Sequence, residues 1–360
     1  MKLDGLRIHI AGSAAASCER QLLEHAHKYV TALGVSAASQ GAGFVVGAGD
    51  EPSGDAGLSL TFDWTMLAAA EGAKRIEVVA SQRALEKIPA ERVELWKRLG
   101  KDPAFDLWAA PAGWRMGGVL REEQVRRGDV LVALGGGAGV EHLGALYRDE
   151  GKPIVPVRAD IGAINADGNG GSSYLHAQAL HDPDGFAPGT GAARLAMLTL
   201  DAEPGALAAT TLEAISAIEP PRAFYVRLLS STHNEWAAVE AFFRETVDRV
   251  VVAAGYTPHE VGRADPLAAF LNVEIFEGLH RAGVCIVDLT GVRPNCLMEL
   301  GYALGRRRRV IVTAKADTRL PFDADKLPTF LWSERRSERD RFGEWFAHAL
   351  NLPPLVEARR

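Results

Sequence analysis

Two carboxylates, Asp288 and Glu299, fall at one strand-to-helix junction within Val284–Gly305, an arrangement suited to work on the sugar of a nucleotide. Val284 to Val287 is a short continuous apolar run of the kind buried on both faces of a parallel sheet, and Arg308 to Thr313 begins the next. Between them Pro294-Asn295 reads as a helix start, with Asn295 able to cap the first turn, and Gly305 as its stop. Asp288 therefore ends a strand and Glu299 sits near the first turn of the next helix. In open α/β sheets ligands bind beyond the carboxyl ends of the strands, so both carboxylates are expected at the pocket. A carboxylate near a helix N-terminus is held ionised by the dipole, which favours a nucleophile or an acceptor of ribose hydroxyls over a proton donor. Spacing alone fits equally well an ordinary helix start with an exposed Glu and a strand-ending Asp.

A second chemical signal lies upstream. Val130 to Leu134 reads as a strand that runs into Gly135-Gly-Gly-Ala-Gly139 and then a helix from about Val140. Such a loop offers bare amides and a positive helix end to phosphate. It is neither a Walker A loop, since no Gly-Lys-Ser/Thr follows, nor a dinucleotide fingerprint, since Val140 stands at the third glycine position. Four glycines in five positions exceed what a tight turn requires. Gly136, Gly137, Gly139 and Glu141 are thus candidates to touch a nucleotide, with Gly12, Ser13 and Asp63 as further candidates.

The elements that must position these residues form two α/β series. The first runs through Leu6 to Ala11, a helix from about Ser17 to Leu33, Phe44 to Val46, a helix near Leu58 to Glu71, Ile76 to Ala80, Val130 to Leu134 and Ile154 to Val157. A helix from Pro204 to Ile218 ends at Glu219-Pro220-Pro221, which makes the boundary between domains 1–219 and 220–360. The second series starts at Ala223 and ends with a helix from Asp340 to Leu350. The stretch Ala159 to Gly191, rich in Gly, Asn, Asp and Ser, reads either as a functional loop or as a flexible excursion.

Composition bounds the class. The 360 residues are 47% hydrophobic, enough for a large core divided between two domains, and the net charge of −6 argues against a general nucleic-acid surface. The basic run Arg306 to Arg309 reads as a solvated helix end. Cys18, Cys285 and Cys296 are unclustered packing residues, as in a reduced cytosol. No signal or membrane segment is apparent, so a cytoplasmic protein is expected. His25 and His27 face different sides of a helix, and no metal site is expected.

Asp288-Leu-Thr-Gly, Pro294-Asn295 and Glu299-Leu-Gly-Tyr-Ala303, with Ala223 to Leu228 upstream and Leu320-Pro-Phe-Asp323 downstream, resemble the superfamily joining nucleoside 2-deoxyribosyltransferases to the TIR-like domains of bacterial defence proteins. That resemblance makes Glu299 the catalytic carboxylate at C1′. Asp288 and Asn295 would shape the pocket, Ser230 and Ser231 would meet phosphate or ribose, and Tyr225 and Tyr302 could flank the base or pack the core. Residues 1–219 resemble the SLOG superfamily of phosphoribohydrolases and nucleotide sensors, through Gly12-Ser13, Gly47-Ala-Gly49 and Gly135 to Glu141. Here Gly135, Val140 and Leu143 replace the Pro, Thr and Glu of the enzymatic Pro-Gly-Gly-x-Gly-Thr-x-x-Glu motif, which favours binding over hydrolysis.

Together these resemblances imply two Rossmann-like three-layer α/β domains with mainly parallel sheets. They imply an effector in which a nucleotide signal binds the first domain and the second cleaves the N-glycosidic bond of NAD, a nucleoside or a nucleotide, with no required cofactor. A homo-oligomer is expected, with no membrane or specific nucleic-acid partner. A catalytically silent scaffold and a nucleoside 2-deoxyribosyltransferase with a regulatory domain are the alternatives.

Overall fold

The computed structural model describes residues 3–111, 117–162, 171–260, 271–306, 308–321, 323–335 and 341–351. The chain divides into two compact units, Met1–Glu219 and Pro220–Arg360. Each is an α/β unit built on a parallel sheet flanked by helices.

The first sheet contains β1 (Arg7–Ser13), β2 (Gly43–Val46), β3 (Ile76–Ser81), β4 (Phe105–Ala110), β5 (Val130–Gly135) and β6 (Ile154–Val157), in the order β4-β3-β2-β1-β5-β6. Strand order reverses between β1 and β5, which pair from Ile8↔Val130 to Ser13↔Gly135. Every residue of β5 is buried, as its unbroken apolar run requires, and each large side chain so buried contributes about 1.5–3 kcal/mol. The helix Arg20–Ser39 packs on the helix Pro204–Ala217, where the buried Tyr29 and Thr211 hydroxyls meet at 3.1 Å.

The second sheet contains β7 (Arg222–Val226), β8 (Thr257–His259), β9 (Val284–Asp288), β10 (Val310–Lys315) and β11 (Thr329–Trp332), in the order β11-β10-β9-β7-β8. Its reversal lies between β7 and β9. One face packs on the helix Trp236–Phe242 and on Phe342–Asn351, with Phe242 stacked on Trp332 at 4.5 Å. The other face packs on the helix Pro294–Gly305 through Cys296, Leu300 and Ala303.

Several sequence expectations change. The first helix starts later and runs to Ser39, while the helix near residue 63 covers only Asp63–Ala69. β4, β8 and β11 are strands that the sequence reading does not announce. All three are edge strands, where exposed Leu107 and Leu331 and a mid-strand Pro258 blur the apolar pattern. The stretch expected to lack structure carries the helix Gly171–His181, which buries Leu175, His176 and Ala179. Its residues 163–170 lie outside the described residues. The last helix spans Phe342–Asn351. Among the described residues no helix is long and apolar enough to cross a membrane.

Candidate functional site

In the first unit the crevice at the β1/β5 reversal is made of backbone. Gly12 and Ser13 end β1, and Gly135 ends β5. A Cβ on Gly12 would lie 1.7 Å from the Leu134 carbonyl oxygen, so the two strands close up only around glycine. Gly135 and Gly136 adopt φ of 64° and 73°, a region glycine enters without strain. Their amides are already used, Gly135 N–H donating to Ser172 Oγ (2.7 Å) and Gly136 N–H to Ser13 O (2.7 Å). Gly137 then precedes the helix Ala138–Asp149, whose exposed first residues Ala138 and Gly139 present amides that no helix carbonyl can reach. Gly137, Ala138 and Gly139 are therefore the part of the loop able to face an anion.

Glu141 is half-buried in the first turn of this helix. At the end of β2, the Asp63 carboxylate accepts the Gly47 N–H (3.2 Å), and burial pushes it up to about 6. Leu143, at the place of the Glu in the enzymatic motif, is buried in the core. Arg121, which sequence reasoning passes over, brings its guanidinium within 3.8 Å of a Cβ position on Gly139 and donates from Nε to His142 Nδ1 (2.9 Å). No short-range pattern marks Arg121, because it belongs to a different helix and only topology brings it to the loop.

In the second unit the loops after β7 and β9 meet at the reversal. Ser230 and Ser231 are exposed in the first of these, with the Ser230 and Thr232 hydroxyls 2.9 Å apart. A Cβ on Gly291, in the second, would lie 2.9 Å from the His233 ring. The helix that follows corrects the sequence reading. It begins at Pro294 with Arg293 as the preceding cap residue, so exposed Asn295 is its second residue and makes no cap bond. Proline fits the first helical position because its missing N–H needs no partner there.

Glu299 consequently lies in the second turn, beyond the reach of the terminal dipole. The expectation that the dipole keeps it ionised is overturned. Half-buried, Glu299 is pushed up by desolvation to about 7, and among the described residues no cation or donor offsets this. The buried cation following β7, Arg227, is committed to Glu240 (2.7 Å) and Glu260 (2.5 Å).

Asp288 is fully enclosed. Its Oδ1 accepts the Thr290 N–H (3.0 Å), and its Oδ2 accepts Thr313 Oγ1 (2.7 Å) and Trp332 Nε1 (2.9 Å), while burial still moves its carboxyl upwards. Tyr225 points into the core and donates its hydroxyl to Asp248 (2.9 Å). Tyr302 packs against Phe276 with ring centroids 4.7 Å apart. A cavity of about 510 Å³ lies by the helix Trp236–Phe242, lined by Glu235, Phe242, Lys315, Trp332 and Glu334 among others, and Glu299 is not in its lining. Burial raises the Cys296 thiol to about 12, which removes it as a nucleophile at neutral pH. Among the described residues no cluster of three or more His, Cys, Asp or Glu could hold a metal.

Comparison with known proteins places a match in the first unit. Residues 3–204 match the family described as ATP nucleosidase Cap17-like, N-terminal. Two curated relatives, both ATP nucleosidase Cap17, one from Escherichia coli (strain KTE188) and one from Escherichia coli, are each 33% identical over 192 residues. The matched segment is 51% of this chain and 38% of each relative, so the chain spans well under half the length of those proteins.

Proposed function

The chain belongs, through residues 3–204, to the family of ATP nucleosidase Cap17-like N-terminal domains, and on that premise we propose that it is a nucleotide-controlled effector of bacterial defence that breaks an N-glycosidic bond. In this reading the first unit binds a nucleotide signal at the β1/β5 crevice and the second carries the chemistry at Glu299. The observation that supports it is the Glu299 carboxyl itself, half-buried at the carboxyl edge of the second sheet and poised near 7. Structural ion pairs also perturb carboxyls, but Glu299 has no such pair among the described residues.

A carboxyl poised near 7 has two uses. Ionised, it stabilises an oxocarbenium-like C1′ or attacks it. Protonated, it supplies a proton to a departing purine, which leaves poorly as an anion; a pyridinium such as nicotinamide needs none. The activity for which the relatives are named adds ATP to NAD and nucleosides as candidate substrates, and the protonated form suits ATP. In this reading the exposed Ser230 and Ser231 meet ribose or phosphate, and the exposed Asn295 lines the approach.

A second reading has one observation in its favour. The family match lies in the first unit, and that unit has its own raised carboxyl, Asp63. The buried Leu143 at the expected Glu position weighs against it. The deciding experiment incubates the purified chain with ATP, NAD or a deoxynucleoside plus a second free base, with and without added nucleotides, and measures base release by chromatography. Loss of release in Glu299→Gln but not in Asp63→Asn supports the main reading, and the reverse moves the chemistry to the first unit. Base exchange on the deoxynucleoside marks a transferase, and no release from any substrate marks a scaffold.

A further inference from the structure

The carboxylate that follows β9 has the chemistry of a site residue and the surroundings of a structural one. Asp288 is 0% exposed, and its three donors come from three places: its own loop (Thr290), β10 (Thr313) and β11 (Trp332). In register Thr313 is the β10 partner of Asp288, and Trp332 lies one strand further out. A carboxylate has about four acceptor directions; these three bonds, the additional Thr290 side-chain contact and complete burial leave no open face for a substrate atom.

The loop these bonds hold is short and conformationally costly. Gly291 has a φ of 75° and Val292 a φ of 47°, and a β-branched residue there persists only when its surroundings over-determine it. Those surroundings are present. Leu289 N–H donates to Thr313 O (2.8 Å), Lys315 N–H to Thr290 Oγ1 (2.9 Å), and Val292 N–H closes back on Leu289 O (2.9 Å). Pro294 then opens the helix that carries Glu299, so the entry angle of that helix follows from the loop.

The same knot reaches the neighbouring loop. Lys315, whose N–H bonds Thr290, pairs through Nζ with Glu235 (2.8 Å), just beyond Ser230 and Ser231. The His233 ring closes on Gly291.

We infer that Asp288 is a positioning residue: by binding Thr290, Thr313 and Trp332 it fixes the strained β9 loop, and so sets Glu299 relative to the Ser230–Ser231 loop without touching the substrate. This rests on the reading of Glu299 as the reactive carboxylate. It differs from a pocket role for Asp288, since a substrate contact would act on binding, whereas a displaced Glu299 acts on turnover.

The test takes the full chain and two variants, Asp288→Asn and Thr313→Val. The first keeps the volume but turns an acceptor into a donor facing Trp332 and Thr313; the second removes one donor only. Base-release kinetics and hydrogen exchange of peptides covering residues 289–297 are measured on both. In Asp288→Asn, kcat falls about 10- to 100-fold while KM stays within about twofold, as expected for a small misplacement of a reacting group. In Thr313→Val the loss is about threefold with the same split. Exchange quickens at 289–297 in both variants and not elsewhere in the second unit.

A raised KM at unchanged kcat would put Asp288 on the substrate and overturn the inference, as would wild-type exchange in the loop of both variants. Should Asp288→Asn fail to fold, Thr313→Val carries the same two readouts. If the wild-type chain releases no base from any substrate offered, the reading of Glu299 falls, and the exchange result alone decides whether Asp288 orders the loop.

Discussion

At the β1/β5 crevice of the first sheet the open polar groups are mainly main-chain amides, at Gly137, Ala138 and Gly139, with the Asp63 carboxylate at the end of β2 and the Arg121 guanidinium beside Gly139. At the carboxyl edge of the second sheet they come from side chains, with Glu299 in a helix and Ser230, Ser231 and His233 in the facing loop. Both edges sit at a reversal of strand order, where an α/β sheet offers a crevice. A crevice of amides suits a phosphate that is held and released unchanged. A half-buried carboxyl poised near 7 suits proton or charge transfer. In the proposed reading, the same architecture, furnished differently, separates recognition from chemistry.

The sharpest way to break that contrast is Glu299→Gln. Glutamine keeps the shape but can neither ionise nor donate a carboxyl proton, so base release should fall by about 10²–10⁴-fold. Nucleotide binding to the first unit, read by calorimetry, should stay at the wild-type value. A variant that still releases base at the wild-type rate sinks the assignment of chemistry to the second unit.

Next in size is Gly12→Ala. The new Cβ would meet the Leu134 carbonyl oxygen at 1.7 Å, and only a backbone shift between β1 and β5 relieves it. Destabilisation of the first unit by more than about 3 kcal/mol is expected, read as a lower melting temperature with loss of nucleotide binding. An unchanged melting temperature would mean that β1 and β5 do not close around this glycine.

How far the sequence reveals these two edges follows the same contrast. The central strands are readable because continuous apolar runs such as Val130 to Leu134 and Val284 to Val287 have no other stable place than a buried sheet. The glycine loop and Glu299 are readable because each lies next to its strand in the chain. The partners that determine their behaviour come from elsewhere: Arg121 and Ser172 to the glycine loop, Thr313 and Trp332 to Asp288. Local rules also misjudge the charge state of Glu299. A helix-dipole argument assumes the first turn, whereas proline at position 294 starts the helix early enough to leave Glu299 in the second turn, where burial decides.

Ser172→Ala tests the internal use of the glycine amides. It leaves the buried Gly135 N–H without its acceptor, which costs about 1–3 kcal/mol. The φ of Gly135 and Gly136 should relax with it, and nucleotide affinity should drop several-fold while basal base release stays at the wild-type rate. Equal affinity in the variant would show that the loop is set by Gly162 and Gly171 alone, which approach Gly136 too closely to admit a Cβ.

The smallest effect is on stability and runs opposite to the effect on rate. Glu299 ionises near 7 in the fold, against an ordinary value of 4.5. Below about pH 4.5 the folded and unfolded chains both hold the proton, and burial of the neutral carboxyl costs little. As pH rises towards 7 the unfolded chain releases the proton more readily than the folded one, so native stability declines across that window and levels above it. For a fully buried carboxyl the decline would be about 1.4 kcal/mol for each pH unit crossed, but Glu299 is only half-buried, and solvent screening reduces the total to about 1 kcal/mol. Glu299→Gln removes this penalty. In urea unfolding the variant should exceed the wild type by about 1 kcal/mol at pH 8 and match it at pH 4. A gain of the same size at both pH values would trace the change to packing rather than charge, and would take away the physical ground for treating Glu299 as a carboxyl held ready at the edge of the second sheet.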